Sequence, residues 1–93
     1  MVAVYLKYLN HENADLRFDS LALLGLVTET REHIPVYRKC LSDNDPRIRA
    51  LALKDLAKLR GDDLLALKEE IEAMLSDPDM KVKKAALNIL KKL

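Results

Sequence analysis

The sequence predicts an all-α fold, a short α-solenoid (an α-α superhelix) of three helix pairs. Two observations lead to this prediction. Apolar residues recur three and four positions apart along the chain, which places them on one face of successive helices. The pattern also returns after 32 and again after 34 residues, which divides residues 1–93 into repeats of about 1–29, 30–61 and 62–93. Repeating helix pairs with short turns stack on their neighbours, so we expect one domain.

The repeats align on three anchor leucines, Leu9, Leu41 and Leu75. Similar residues stand at the same distances after each anchor. In chain order these sets are Leu16, Ile48 and Val82; Arg17, Arg49 and Lys83; Ser20, Ala52 and Ala86; Leu21, Leu53 and Leu87; and Leu24, Leu56 and Leu90. The last set marks positions that we expect to face the core.

The first repeat contains two helices. Apolar residues at the spacing of a one-sided helix define the first of them: Val2, Tyr5, Leu6 and Leu9. Asn13 is placed as the N-cap of the second, which runs to about Val27. Its centre, residues 20–27, is apolar nearly all round, which predicts burial on more than one side.

In the second repeat, the first helix carries Ile34, Tyr37 and Leu41. A start at Thr30 would put Pro35 about one turn inside and kink the helix, and we favour this over a start at residues 32–34, where the proline would be harmless. The next helix is capped by Asp45 with Pro46 as its first residue. We expect it to end at Arg60, with Gly61 as a left-handed cap.

The third repeat opens with Asp62 and Asp63, which favour the positive end of a helix dipole. The predicted buried stripe of this helix is Leu64, Leu67, Ile71, Met74 and Leu75. Asp79 caps the last helix. The residues that we expect to face inward there are Val82, Ala86, Leu87, Leu90 and Leu93.

Composition excludes several classes of protein. Hydrophobic residues make up 49% and charged residues 33%, which is typical of a globular helical chain and not of a disordered one. The longest apolar run, residues 21–27, is far shorter than the about 20 residues of a membrane span. No signal peptide is apparent at the N-terminus, and a single cysteine forms no internal disulfide, so we expect a cytoplasmic protein. The net charge of +1 gives no global attraction to nucleic acid or membrane.

The repeat resembles the HEAT family, and its length is similar to that of the short HEAT-like repeats of phycobilin-lyase-type proteins. The middle repeat carries the resemblance best, with Asp43 in the turn, Ile48 and Arg49 opening the second helix, and Pro35 at the proline position of the family. The third repeat keeps Asp77, Val82 and Lys83. The first repeat departs from the pattern, because His11 replaces the aspartate and only Arg17 is retained.

The resemblance implies a function as well as a fold. HEAT-like proteins are mostly scaffolds and binding surfaces, some bind DNA, and a few assist cofactor attachment. It also implies a ladder of ion pairs between stacked repeats, formed by Asp43 with Arg49 and by Asp77 with Lys83. A shared fold indicates a class of protein and not a target.

Few residues favour catalysis or metal binding. Cys40 stands where Tyr8 and Met74 stand in the other repeats, so we interpret it as a core residue. The nearest histidine, His33, lies about 10 Å away along a straight helix, too far for proton transfer. The chain has no zinc-ligand spacing and no complete calcium loop. We therefore expect no enzymatic activity and no cofactor.

The second helix of each repeat offers a candidate binding surface, since these helices usually line the concave face of such stacks. In the second and third repeats its solvent positions form a basic stripe, defined as Arg47, Lys54, Lys58, Lys81, Lys84 and Lys92. A solvated face would look the same. In the first repeat the matching positions include Phe18, Ala22 and Leu26, which we interpret as a self-association surface.

These features predict a protein-protein interaction scaffold with no membrane contact. The partner would be a protein, an acidic one if the basic stripe binds it, or a second copy of the chain. The alternative is weak binding of nucleic acid or another polyanion by the basic stripe. The stripe lies in the second and third repeats, and residues 38–93 contain no aromatic residue to stack on bases, so this alternative is limited to duplex backbones.

Overall fold

The computed structural model describes residues 2–93, so Met1, the first residue of the predicted domain, lies outside the described part of the chain. All regular elements of residues 2–93 are helical. The α-helices are α1 (Val2–Tyr8), α2 (Ala14–Val27), α3 (Ile34–Cys40), α4 (Pro46–Leu56), α5 (Gly61–Leu65), α6 (Lys68–Ala73) and α7 (Met80–Leu90). Two 3-10 turns, Thr30–His33 and Met74–Ser76, precede α3 and follow α6. The all-α prediction is confirmed.

The second helix of each repeat begins at the predicted cap. The Asn13 side chain accepts hydrogen bonds from the N–H groups of Asp15 and Leu16. Asp45 accepts one from Arg47, and Asp79 accepts bonds from two N–H groups of α7. Side-chain acceptors here satisfy N–H groups that have no partner within the helix, so local sequence fixes where α2, α4 and α7 start.

The first helices of the second and third repeats are broken, which corrects two predictions. A single kinked helix from Thr30 is wrong: a 3-10 turn leads to α3, where Pro35 sits in the first turn and costs no hydrogen bond. The helix predicted to open the third repeat is likewise two helices, α5 and α6. The two breaks lie at the same place in the second and third repeats. In the third repeat, Glu69 stands at the position that Pro35 holds in the second. The break therefore does not require a proline.

Helix α4 is shorter than predicted. It ends at Leu56 and not at Arg60, because the backbone at Ala57 and Lys58 forms a tight turn. The Arg60 guanidinium donates to the carbonyl groups of residues 57, 58 and 59. Gly61 has a φ of 57°, the left-handed conformation predicted for it.

Each helix contacts helices that are near it in chain order. Helix α1 packs on α2, α3 on α4, and α6 on α7, while α2 contacts α4 and α4 contacts α7. The described chain is therefore a flat body of 33 × 28 × 16 Å with the second helices side by side. No helix in residues 2–93 is long and apolar enough to cross a membrane.

Residues at interior positions of the repeat are buried, but several residues of the third repeat are exposed although their equivalents in the second repeat are buried. Leu24 and Leu56 are fully buried, as are Ile48 and Val82. Leu75, Leu87 and Leu93, however, were predicted to face inward, and each is 40–45% exposed. Their equivalents in the second repeat, Leu41, Leu53 and Leu59, are buried. The reason is physical: the second repeat is covered by the third, and no described residues cover the third in the same way.

Candidate functional site

Two arginine–aspartate pairs join successive repeats at the turns. Arg17 of the first repeat reaches Asp43 of the second with Nε and Nη2, each 2.9 Å from a carboxylate oxygen. Arg49 of the second repeat meets Asp77 of the third in the same way, at 2.8 and 3.0 Å. All four side chains are 15% exposed or less. These bidentate pairs link each repeat to the next.

The same arginines also hold their own turns. Nη1 of Arg17 donates to the carbonyl groups of His11 and Glu12, and Nη1 of Arg49 donates to those of Asp43 and Asn44. Every guanidinium nitrogen thereby gains a partner. One guanidinium connects two turns and satisfies carbonyl oxygens that the helices leave free.

The aspartates shape the turns as well. Oδ1 of Asp43 accepts the N–H of Asp45 at 2.9 Å, and Oδ1 of Asp77 accepts the N–H of Asp79 at 2.9 Å. In the first repeat, Nδ1 of His11 accepts the N–H of Asn13 at 3.0 Å. The histidine reproduces the local role of the missing aspartate. It lacks, however, the carboxylate that would pair with a preceding arginine.

The pairs shift the titration of their members. The hydrogen bond from Arg49 lowers the pKa of Asp77 below its ordinary 3.8. Burial would raise the pKa of Asp43, but hydrogen bonds from Arg17 and the Asp45 N–H outweigh it, so that pKa is also lowered. Both carboxylates are therefore ionised at neutral pH.

The residues of the predicted ladder do not form the pairs that were predicted for them. Arg49 and Asp77 meet directly, whereas Asp43 meets Arg17, which was noted in the sequence only as a retained family residue. Lys83 forms no ion pair with residues 2–93. The spacing of the repeat contained the signal for Arg17, because it stands at the position of Arg49.

A groove lies between α4 and α7, on the solvent side of the second helices. Its volume is about 460 Å³. Ala50, Ala57 and Ala85 form its floor above the buried side chains of Leu53 and Ile89, and its rim consists of Lys54, Lys81, Lys84, Asn88 and Lys92. None of these four lysines forms an ion pair within the described chain. The groove thus combines an apolar floor with four free positive charges.

The other two members of the basic stripe already have partners. Arg47 pairs with Asp15 at 2.8 Å and with Asp45 at 2.7 Å, and its guanidinium lies 5.1 Å from the centre of the Phe18 ring. Nζ of Lys58 lies 3.2 Å from Oδ1 of Asp55. The structure therefore does not bring all six cations together: four surround the groove and two bind carboxylates of the chain itself.

The proposed self-association residues differ in exposure. Phe18 packs against the core beneath Arg47, and Ala22 is half-buried. Leu26 is 81% exposed, and Leu16, Leu23 and Val27 are exposed beside it on α2. We define the N-terminal patch as Leu16, Leu23, Leu26 and Val27. This patch is apolar, but it only partly coincides with the three residues that the sequence indicated.

A carboxylate lies buried between the first two repeats. Asp55 is 5% exposed, and its Oδ2 has no hydrogen-bond partner in the described chain, nor has the hydroxyl of Tyr37. Burial, and then the charge of Asp55, raise the pKa of Tyr37. A Cβ on Gly25 would lie 3.0 Å from Oδ2 of Asp55, so a larger residue there would require the carboxylate to shift. Asp55 was not predicted as a buried group, although it is a charged residue at a position where the other repeats carry apolar residues.

Cys40 is buried and forms no disulfide. Burial, followed by the charge of Asp43, raises the pKa of its thiol to about 11. The thiol is therefore protonated at neutral pH and is a poor nucleophile. In residues 2–93 no group of three or more histidine, cysteine, aspartate and glutamate side chains is arranged to hold a metal ion.

The chain was compared with models of protein families, with curated proteins and with solved structures. None of the three comparisons gives a match.

Proposed function

We propose that this chain is a non-enzymatic scaffold module that binds a partner protein through the second-helix face, in the groove between α4 and α7. The observation that supports this proposal is that an apolar floor is surrounded by four lysines without internal partners, Lys54, Lys81, Lys84 and Lys92. Surface lysines alone would indicate only a solvated face. An apolar floor between them adds a place to bury side chains of a ligand.

The groove chemistry defines the partner. The short side chains of alanine at residues 50, 57 and 85 leave room above the floor for aliphatic side chains of an amphipathic helix. The lysine rim favours carboxylates next to those side chains. We therefore propose an acidic amphipathic segment as the ligand.

The proposal includes a short α-solenoid of HEAT-like repeats in the cytoplasm. The support is the side-by-side order of α2, α4 and α7 and the two equivalent arginine–aspartate pairs between repeats. In such a stack the second helices form one continuous binding face. It also includes self-association of the chain through the N-terminal patch, supported by the exposure of Leu26 and its neighbours.

Fluorescence anisotropy with a labelled peptide tests the groove. The probe is an amphipathic helix with a leucine stripe flanked by glutamates, and its control carries glutamine in place of every glutamate. We expect the glutamate peptide to bind more tightly and to weaken as salt increases. Lys54→Glu with Lys84→Glu should weaken it at least about tenfold, because like charges then face each other.

The matched control is Lys68→Glu, a charge reversal on α6, away from the groove. It should leave the peptide affinity unchanged. Equal binding of the glutamate and glutamine peptides would contradict the proposal, and so would equal binding by the groove variant and the Lys68 variant.

Weak nucleic-acid binding is the second candidate, because the same four lysines could contact phosphates. With about four contacts, log K for duplex DNA should fall against log salt with a slope near −4. The groove lining contains no aromatic ring, so it offers nothing for single-strand stacking. Anisotropy with labelled duplex at about 50 mM salt separates the candidates, since a phosphate-binding groove retains duplex and an apolar-floored peptide site does not.

A further inference from the structure

The third repeat presents a face that is buried in each preceding repeat. Leu21 and Leu53 are fully buried, and each belongs to a helix that contacts the second helix of the following repeat. Leu87 holds the same position in α7 and is 45% exposed. Leu75 behaves similarly, since its equivalent Leu41 is 6% exposed. We call Leu75, Lys83 and Leu87 the open face.

The direction of this face follows from the arginine–aspartate pairs. Arg17 and Arg49 point to the next repeat, and Leu21 and Leu53 stand four residues later, on the same side of the helix. Lys83 and Leu87 have that same spacing in α7. The open face therefore repeats the two components of each internal interface, a cation at the turn and a leucine one helical turn further on.

The internal interfaces also show what such a face receives. Arg17 pairs with the turn aspartate Asp43, and five residues after Asp43 comes the buried Ile48. Arg49 pairs with Asp77, and again five residues later comes the buried Val82. Both occupants are helix pairs with a carboxylate in the turn and an aliphatic residue opening the second helix.

We infer that the open face is a second docking site, distinct from the α4–α7 groove, which binds a helical hairpin of another protein with a carboxylate in its turn. Lys83 pairs with that carboxylate, and Leu75 and Leu87 pack against the aliphatic residue and its helix. Charge complementarity and continuity with two internal interfaces identify the occupant. Lysine supplies one charge without the planar fork of arginine, so the pair is less directional than the internal ones.

An unmodified second copy of the chain is a poorer occupant. Its first repeat offers Leu16 and Leu23 as exposed apolar side chains, but His11 stands where the carboxylate is required. A copy stacked in this way would place Lys83 opposite an imidazole ring and not opposite a carboxylate. The open face thus discriminates between a turn with an acid and one without it.

The chain itself provides the probe. In a labelled chain carrying His11→Asp and Leu87→Asp, the new carboxylate is placed as Asp43 and Asp77 are, accepting the N–H of residue 13, while its own open face is blocked. Unlabelled wild-type chain is titrated into it and binding is followed by fluorescence anisotropy. The control probe carries Leu87→Asp alone. Circular dichroism melts establish that each variant is folded.

We expect the aspartate probe to bind wild-type chain at least about tenfold more tightly than the histidine probe. Lys83→Ala in the unlabelled chain should remove that advantage, and Lys83→Arg should increase it by restoring a bidentate pair. Lys68→Ala, on α6, should change nothing. Equal binding of the two probes would overturn the inference, as would no binding of either, or an advantage that survives Lys83→Ala.

Discussion

Leu53→Ala and Leu87→Ala form a matched pair, because the two leucines occupy the same position in successive repeats and differ only in what covers them. Leu53 is fully buried between α4 and its neighbours, whereas Leu87 is 45% exposed. We expect the first substitution to lower the free energy of unfolding by about 3–5 kcal/mol. The second should lower it by about 1 kcal/mol.

The magnitudes follow from the carbon atoms removed. Leucine to alanine deletes three carbons, each worth about 0.8 kcal/mol when fully buried. At Leu53 the lost transfer energy is therefore about 2.4 kcal/mol, and the cavity left in a closed core adds to it. At Leu87 roughly half of the transfer energy was never gained, and solvent fills the space.

Urea unfolding followed by far-UV circular dichroism measures both changes on the same scale. The slope of free energy against urea should stay constant between the variants, so that midpoints compare directly. If Leu87→Ala proves as costly as Leu53→Ala, the open face is covered in solution, and the reasoning from the repeat is refuted.

Further predictions concern the core, the charge pairs and the N-terminal patch. Leu56→Ala should cost about 2–5 kcal/mol and Lys54→Ala less than about 0.5, by the same urea assay; comparable costs would refute the orientation of α4. Because the pKa of Asp77 is lowered, its pairing with Arg49 stabilises the fold above the ordinary pKa of 3.8 and is lost as pH falls further. Wild-type stability should thus decline below about pH 4, and Asp77→Asn should flatten that decline; an unchanged pH profile would count against the pair. Leu26→Asp should shift sedimentation at high micromolar concentration from oligomer to monomer; a monomeric wild type would exclude self-association.

The sequence predicted the all-helical class and the starts of the second helices because these signals are local. Caps at Asn13, Asp45 and Asp79 and the three-and-four spacing of apolar residues depend only on neighbours in the chain. The broken first helices were not predictable in this way, since Glu69 marks no break. Tertiary packing decides them.

The candidate site was predictable only in part. The repeat indicated that lysines face solvent, but it did not show that Arg47 and Lys58 are bound by carboxylates of their own chain. Those contacts depend on how α2 and α4 pack, which spacing does not specify. The family resemblance implied an ion-pair ladder, and geometry then determined that each arginine bonds forward to the next repeat.

The position of Asp55 also changes how Lys58 should be regarded. From the sequence, Lys58→Ala looks like a neutral surface change, yet its ammonium is 3.2 Å from a buried carboxylate. Its removal would leave Asp55 uncompensated, so Lys54 is the better surface control.

The forked contacts of Arg17 and Arg49 have a mechanical consequence. A planar guanidinium bound to a carboxylate at two points resists rotation about its own axis, whereas packed leucines allow sliding. Arg38 and Glu70 also join α3 to α6, but through side chains that are nearly half exposed. We therefore expect the repeats to resist relative rotation mainly at the turns, where the guanidinium groups of Arg17 and Arg49 are bound.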